Sequence, residues 1–384
     1  MSGPADEDER RETQALELVL GVAPGSAEPA GRRVPAWRDW RVLLGIAVTV
    51  AAFAWAIQGI PLADVVAATK DADLWVLLGL SLPAYAGASL FRGLRWRHLT
   101  NPIAPISRGL LTRGVVIGFM VNNLVPLRIG EVVRAWYVSR ESGVSTSALF
   151  GTVVLERVID VVSVVLMAIC ALAFAGLGTS EESNNLLSRG AVLLLPAGLV
   201  PLVGLVWLRV APEGVIRLTG RVLRPLSPHL SRTSERLLRN FTHGLGALQG
   251  GSHLFWIAFH SVMIWIVFSM IPMLAGMIAF GIDLGSWVRM TAVAYVALGA
   301  VGVAVAIPSA PGFFGTYQLA FMTVLEQFGV PSATALALGL VVWFVFWVSL
   351  TAAGLAVMRI GGTRLSDLTR RAGVEAPGPD EIPS

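Results

Sequence analysis

Long apolar runs separated by short polar connections set the pattern of this chain. Seven runs approach the ~20 residues a helix needs to cross the hydrocarbon core of a bilayer: Arg41–Ile60, Leu74–Leu94, Thr146–Gly178, Ala191–Leu208, His253–Phe280, Trp287–Ile307 and Thr334–Met358. Two further stretches are broken. Leu110–Arg140 is interrupted by Asn122, Asn123, Pro126, Arg128 and Gly130; Ile307–Gln327 by Pro308, Pro311, Gly312 and Gly315. Proline removes a backbone donor, and glycine admits turns closed to other residues. Each stretch therefore reads as a helix that stops at membrane depth and restarts. The two breaks occupy corresponding places in the two halves, the pattern of transporters built from repeats. The prediction is an all-α polytopic membrane protein of about 7–8 transmembrane helices, with broken or re-entrant helices in two pseudo-repeated halves.

Composition agrees. The 384 residues are 55% hydrophobic and only 14% charged, against about 25% charged in soluble domains, and the mean hydropathy is +0.70. Glycine and proline are spread through the apolar runs, as transmembrane helices tolerate. Cys170 is the single cysteine and lies inside a run, which excludes a disulfide framework or a cysteine metal site. The pI of 9.8 suggests an anionic partner. Because the arginines flank apolar segments, they read as topology signals and anchors for anionic lipid headgroups, with no nucleic-acid partner. No signal-peptide pattern opens the chain.

Arginine placement sets the expected orientation. Arg92, Arg95, Arg97, Arg108 and Arg113 cluster at and after the end of the second run, seven arginines lie between Leu208 and His253, and four follow the last run. The alternate connections carry Asp64, Asp71, Asp73, Glu181, Glu182 and Asp283. Both termini are thus expected in the cytoplasm of a bacterial inner-membrane protein. Parity is kept if Leu110–Arg140 re-enters from the cytoplasmic side and the second broken stretch completes a crossing. The expected division is a disordered tail over 1–40, a membrane domain over 41–359 and a tail over 360–384. Within the membrane domain, 209–250 alternates leucine and valine with arginine and reads as a cytoplasmic amphipathic loop.

Three polar clusters fall where a bilayer disfavours them, and ionisable groups there cost at least ~2.5 kcal/mol on insertion scales. In the first, Asn122, Asn123, Pro126, Arg128 and Gly130 mark a break, and Glu131 and Arg134 share a face of the restarted helix. In the second, Glu156 and Asp160 lie four apart on one face beside Arg157, and two acids so placed need a cation between them; Arg128, Arg134 and Arg157 are candidates. The third is Pro308, Pro311, Gly312, Gly315, Tyr317 and Gln318. A helix restarting there offers free N–H groups to a phosphate. Each cluster also has a purely structural reading as an ion pair or tight loop. Five histidines, scattered in sequence, suggest no metal site.

Taken in order, Asn123-x-x-Pro126-x-Arg128-x-Gly130-Glu131-x-x-Arg134, Glu156-Arg157-x-x-Asp160 and Pro308-x-x-Pro311-Gly312-x-x-Gly315 resemble the lysylphosphatidylglycerol synthetase transmembrane-region family, also called flippase-like. The resemblance spans roughly Arg41 to Arg359 and implies movement of a polar-headed lipid between leaflets. That lipid would be an aminoacylated phospholipid or a polyprenyl-phosphate glycolipid. It also implies that Arg128, Glu131, Arg134, Glu156, Arg157 and Asp160 line or brace the headgroup site. Full-length synthetases carry a soluble aminoacyl-transfer domain after the membrane part. Here a short tail follows, so the chain is expected to be a transporter without cofactor rather than an enzyme. Many relatives have an acid near Gln318, and a neutral amide there argues against cation coupling at that point. No nucleotide-binding motif is present. Two other readings remain open: a lipid-linked glycosyltransferase using an Asp71-x-Asp73 cation site, and an accessory scaffold of a separate lipid-modifying, cell-envelope enzyme.

Overall fold

A computed structural model describes residues 40–125, 128–174, 251–305, 311–361 and parts of 203–239. The expected terminal tails, the 175–202 connection with most of the Ala191–Leu208 run, Pro126 and Pro308 lie outside the described residues. Among those described the chain is all helical, with no strand. Helix α1 (Trp40–Ile57) bends by 82° into α2 (Leu62–Asp71), a short helix where the hydropathy pattern shows only a connection. Then come α3 (Leu74–Thr100), α4 (Arg108–Leu124), α5 (Gly130–Ser142), α6 (Thr146–Phe174) and the amphipathic α7 (Pro212–Leu223). In the second half α8 (Gly251–Val262) runs through a π-helical segment, Met263–Phe268, into α9 (Met270–Ala279). The chain continues with α10 (Trp287–Ala304), a 3-10 turn at Pro311–Phe313, α11 (Thr316–Gln327) and α12 (Ser332–Ile360). Leu74–Thr100, His253–Ala279 and Ser332–Ile360 are each long and apolar enough to cross a membrane.

The halves repeat an element order: long helix, two short helices, long helix. In the first half these are α3, then α4 and α5 of 17 and 13 residues, then α6. In the second they are α8–α9, then α10 and α11 of 18 and 12 residues, then α12. The short helices fold back as hairpins. Along α4 and α5, Gly114 meets Val138, Gly118 meets Arg134, and the Gly118 and Gly130 backbones touch, an antiparallel crossing that glycine alone permits. Likewise α11 packs along α10. Twelve residues rise only about 18 Å, short of the ~30 Å core. The second broken stretch therefore turns back where the sequence pattern had it completing a crossing.

Helix α12 shows how the hairpins are arranged. Its N-terminal half packs on hairpin two, with Gly339 against Phe321 and Gln318. At mid-length, Trp343 and Trp347 reach the two breaks, donating to the carbonyls of Gly312 (2.6 Å) and Asn123 (3.1 Å). Its C-terminal half packs on hairpin one, with Gly354 against Met120. The hairpins thus approach from opposite ends and meet tip to tip.

Two apolar cores stack along the long helices. One gathers Trp96, Leu111, Ile117, Val133, Leu149 and Met358 around hairpin one. The other gathers Leu77, Val164, Met277, Val293, Phe321 and Leu338 around hairpin two. Polar residues Arg92 and Arg95 of α3, Glu156 and Asp160 of α6, and Thr351 of α12 are buried between the two sets along their helices. A polar layer at mid-height is where side chains with no place in either core collect.

Candidate functional site

The polar layer is built around two carboxylates of α6. Four residues apart, they face the same way, and cations surround them. Glu156, fully buried, is 2.9 Å from Arg157, 3.2 Å from Arg95 and 3.3 Å from Arg134. Asp160 is 2.7 Å from Arg95, 3.0 Å from Arg157 and 3.6 Å from Arg92. Arg95 bridges both acids and also donates to Ser261 of α8 (3.1 Å). The π-helical segment places Trp265 so that its indole N–H donates to Asp160 (2.9 Å); such bulges commonly mark functional positions. Aromatic faces cover two of the cations. The Arg92 guanidinium lies over Phe119 and Trp265 at 5.4 and 5.1 Å, and Arg134 lies over Trp96 at 4.9 Å.

Four guanidiniums therefore share these two carboxylates; with Glu131, which also faces Arg157 and Arg134, and its partner Arg128, five cations meet three anions, an excess of two positive charges. The hydrogen-bond inventory has the same imbalance. Arg92 Nη1, Arg95 Nε, Arg134 Nε and Nη2, and Arg157 Nε are buried without a hydrogen-bond partner. Glu156 Oε2 and Asp160 Oδ2 are held by charge contact rather than by hydrogen-bond geometry. Buried unpaired cations and unsatisfied N–H groups are both costly, and an anion with several oxygens answers both. Of the four cations Arg157 reaches furthest toward the surface, with its side chain 32% exposed, while Glu156 and Arg95 are closed off.

The hairpin tips form a second part. Asn122 accepts from the Gly130 N–H (2.8 Å) and donates to Glu131 (3.2 Å), closing the break in hairpin one. Asn123 donates to Thr351 (3.1 Å) and to the Trp347 carbonyl (3.3 Å). Arg128 pairs with Glu131 (3.3 Å), donates to the Val305 carbonyl (2.8 Å) and lies over the Phe313 ring at 5.3 Å, so it spans tip to tip. Arg128 and Phe313 both hold positive φ (54° and 61°), a conformation that costs a non-glycine residue roughly 1–3 kcal/mol. Pro311 starts the 3-10 turn of hairpin two, and Gly312 takes φ 68° against Trp343 and Trp347.

Several placements differ from expectation. The arginine pattern reads Arg92 and Arg95 as topology markers at the end of the second run, whereas α3 continues to Thr100 and buries both in the charge layer. Their spacing of three on one helix face was the signal that could have found them. Of the three candidates for the cation between the acids, Arg157 contacts both and Arg134 contacts Glu156, whereas Arg128 serves Glu131 and the opposite tip. The expected phosphate cradle at the start of α11 is partly filled by its own side chain, since buried Gln318 accepts the Gly315 N–H (2.7 Å). Gly315 itself abuts the Thr49 carbonyl and Phe53 of α1. Tyr317 is buried and stacks on Phe321, within the second core. Pro308 lies outside the described residues. Asp73 caps α3, its Oδ1 accepting from the Trp75 and Val76 N–H groups (3.1 and 3.2 Å). The histidines are not all scattered: His98 lies 5.3 and 5.7 Å from His260 and His253, ring centre to ring centre. Among the described residues, no group of three or more potential ligands has the arrangement to hold a metal.

Comparison with known proteins places this architecture. The family model described as lysylphosphatidylglycerol synthase TM region matches residues 42–354. A UPF0104 membrane protein of Methanothermobacter thermautotrophicus is 26% identical over 339 residues, covering 84% of this chain and 96% of that protein. Glycosyltransferase AglD of Haloferax volcanii is 24% identical over 319 residues, covering 77% of this chain; the chain spans 50% of that protein's length. No solved structure matches.

Proposed function

This chain belongs to the lysylphosphatidylglycerol synthase TM-region family, and from that premise we propose that it is a lipid transporter, not an enzyme, moving an anionic polar-headed lipid between leaflets. The observation that carries the reading is the buried layer with two guanidiniums in excess and five unpartnered N–H-bearing nitrogens. A phosphate is the chemistry that fits it, since planar guanidinium forks bind phosphate oxygens bidentately. Position supports transport over simple binding, because the layer lies at the level where two hairpins from opposite ends meet. Arg128 and Glu131 at that junction form the gate, and Arg157 is the first cation a headgroup meets. Rocking of one hairpin against the other alternates access, with both termini on the cytoplasmic side.

One relative bears a glycosyltransferase name, which keeps a lipid-linked sugar among the substrates and sugar transfer as a second reading. Headgroup-resolved scrambling in proteoliposomes tests the first. The panel holds phosphatidylglycerol, its aminoacylated form and a polyprenyl-phosphate sugar, with Arg134→Gln and Arg128→Ala as variants. Movement of one class, reduced at least tenfold in both folded variants, is expected. Equal movement by wild type and Arg134→Gln would overturn the proposal.

A further inference from the structure

A cavity of about 410 Å³ opens on the flank of the protein where the ends of α3, α4 and α12 converge. Leu90, Leu94, Val116 and Val357 form its apolar walls, and Arg108 and Arg113 stand at its rim. Both arginines are exposed and, among the described residues, neither makes an ion pair. The first turns of α4 line the same cavity, so that helix's positive N-terminal end, capped by Ser107, lies beside the two arginines. Thr112, also in the lining, has a buried hydroxyl with no hydrogen-bond partner. The groove is separate from the charge layer. At 100° per residue, Leu90 and Leu94 lie on the face of α3 roughly opposite Arg92 and Arg95.

We propose that this groove is a resident site for an anionic phospholipid. Its phosphate sits on Arg108 and Arg113, and one acyl chain lies along the wall from Leu94 to Val116 and Val357. Charge complementarity selects an anion, and the apolar walls select one that carries a hydrocarbon chain over free phosphate. A long-stay lipid at this place fixes the α3–α4–α12 seam to the headgroup plane of one leaflet.

Native mass spectrometry of the full chain in detergent tests it, titrating phosphatidylglycerol and phosphatidylcholine of matched chains. Arg108→Gln with Arg113→Gln is expected to weaken phosphatidylglycerol binding about 25-fold, the weight of two basic side chains beside an anionic headgroup. The same pair should leave phosphatidylcholine nearly unchanged. Gly109→Trp provides a second route: a Cβ at Gly109 meets nothing within 4 Å, so the indole plugs the groove without disturbing the fold, and retention of either lipid should fall. Unchanged phosphatidylglycerol preference in the double variant, undiminished retention in Gly109→Trp, or displacement by millimolar inorganic phosphate would each overturn the assignment. Because none of these residues belongs to the charge layer, loss here and loss of scrambling in Arg134→Gln are independent results.

Discussion

The charge imbalance makes opposite demands on acids and bases of the same network. Glu156→Gln preserves shape but leaves four guanidiniums around one carboxylate, whereas Arg157→Gln lowers the excess from two to one. Glu156 is fully enclosed and has three guanidiniums within 3.3 Å. Removing one partner of such a buried pair costs roughly 3–5 kcal/mol. Arg157 is the more exposed partner, at 32%, and relieved repulsion from the neighbouring guanidiniums offsets part of its loss, so the cost is about 1 kcal/mol. At about 2–4 °C per kcal/mol for a chain of this order of size, Glu156→Gln should lower the unfolding midpoint by roughly 6–20 °C. Arg157→Gln should lower it by at most about 4 °C. Intrinsic tryptophan fluorescence on detergent-purified protein reads the transition, since Trp96 and Trp265 touch the network. An equal or larger shift for Arg157→Gln would refute the idea that the layer carries uncompensated positive charge.

Two further outcomes follow from particular contacts. Gly130→Ala drives a Cβ into the Gly118 carbonyl oxygen, backbone that cannot swing aside; overpacking of this kind costs about 1–3 kcal/mol or more. A lower midpoint and a loss of the monodisperse peak on gel filtration are expected, with Gly109→Ala, in open space, as the unaffected control. Asp73→Ala removes the N-cap of α3 and should cost about 1 kcal/mol in the same thermal assay while leaving scrambling intact. Abolished activity would instead point to Asp71-x-Asp73 as a cation site and to sugar transfer.

Much of the architecture was legible because hydropathy and helix breakers are local signals. Pro126 with Gly130, and Pro311 with Gly312 and Gly315, marked both breaks, and the leucine–arginine alternation marked α7, which forms at Pro212–Leu223. The pairing of Glu156 and Asp160 followed from helical spacing alone. What stayed hidden depends on contacts distant in sequence. Which cations reach the two acids is decided by how α3 packs on α6 and α8, and nothing near Arg92 or Arg95 announces that partner. Counting arginines by loop therefore assigned two buried network members to a surface. The reversal at hairpin two stays hidden because Trp287–Ile307 is apolar and long enough to read as a full span, and parity then asks the broken stretch after it to complete a crossing. Only packing on α10 shows the return. The trio of His98, His253 and His260 joins α3 to α8 in the same long-range way.

Both tips dock on adjacent turns of α12, where the Trp343 and Trp347 rings lie 6.2 Å apart. Thermodynamic linkage gives that shared docking helix a defined consequence. If undocking one hairpin shifts the indole pair enough to weaken the other's docking tenfold, about 1.4 kcal/mol, then undocking the second weakens the first by the same factor. Under that condition the two tips loosen or tighten as a linked pair, with the two neighbouring tryptophans as the shared contact.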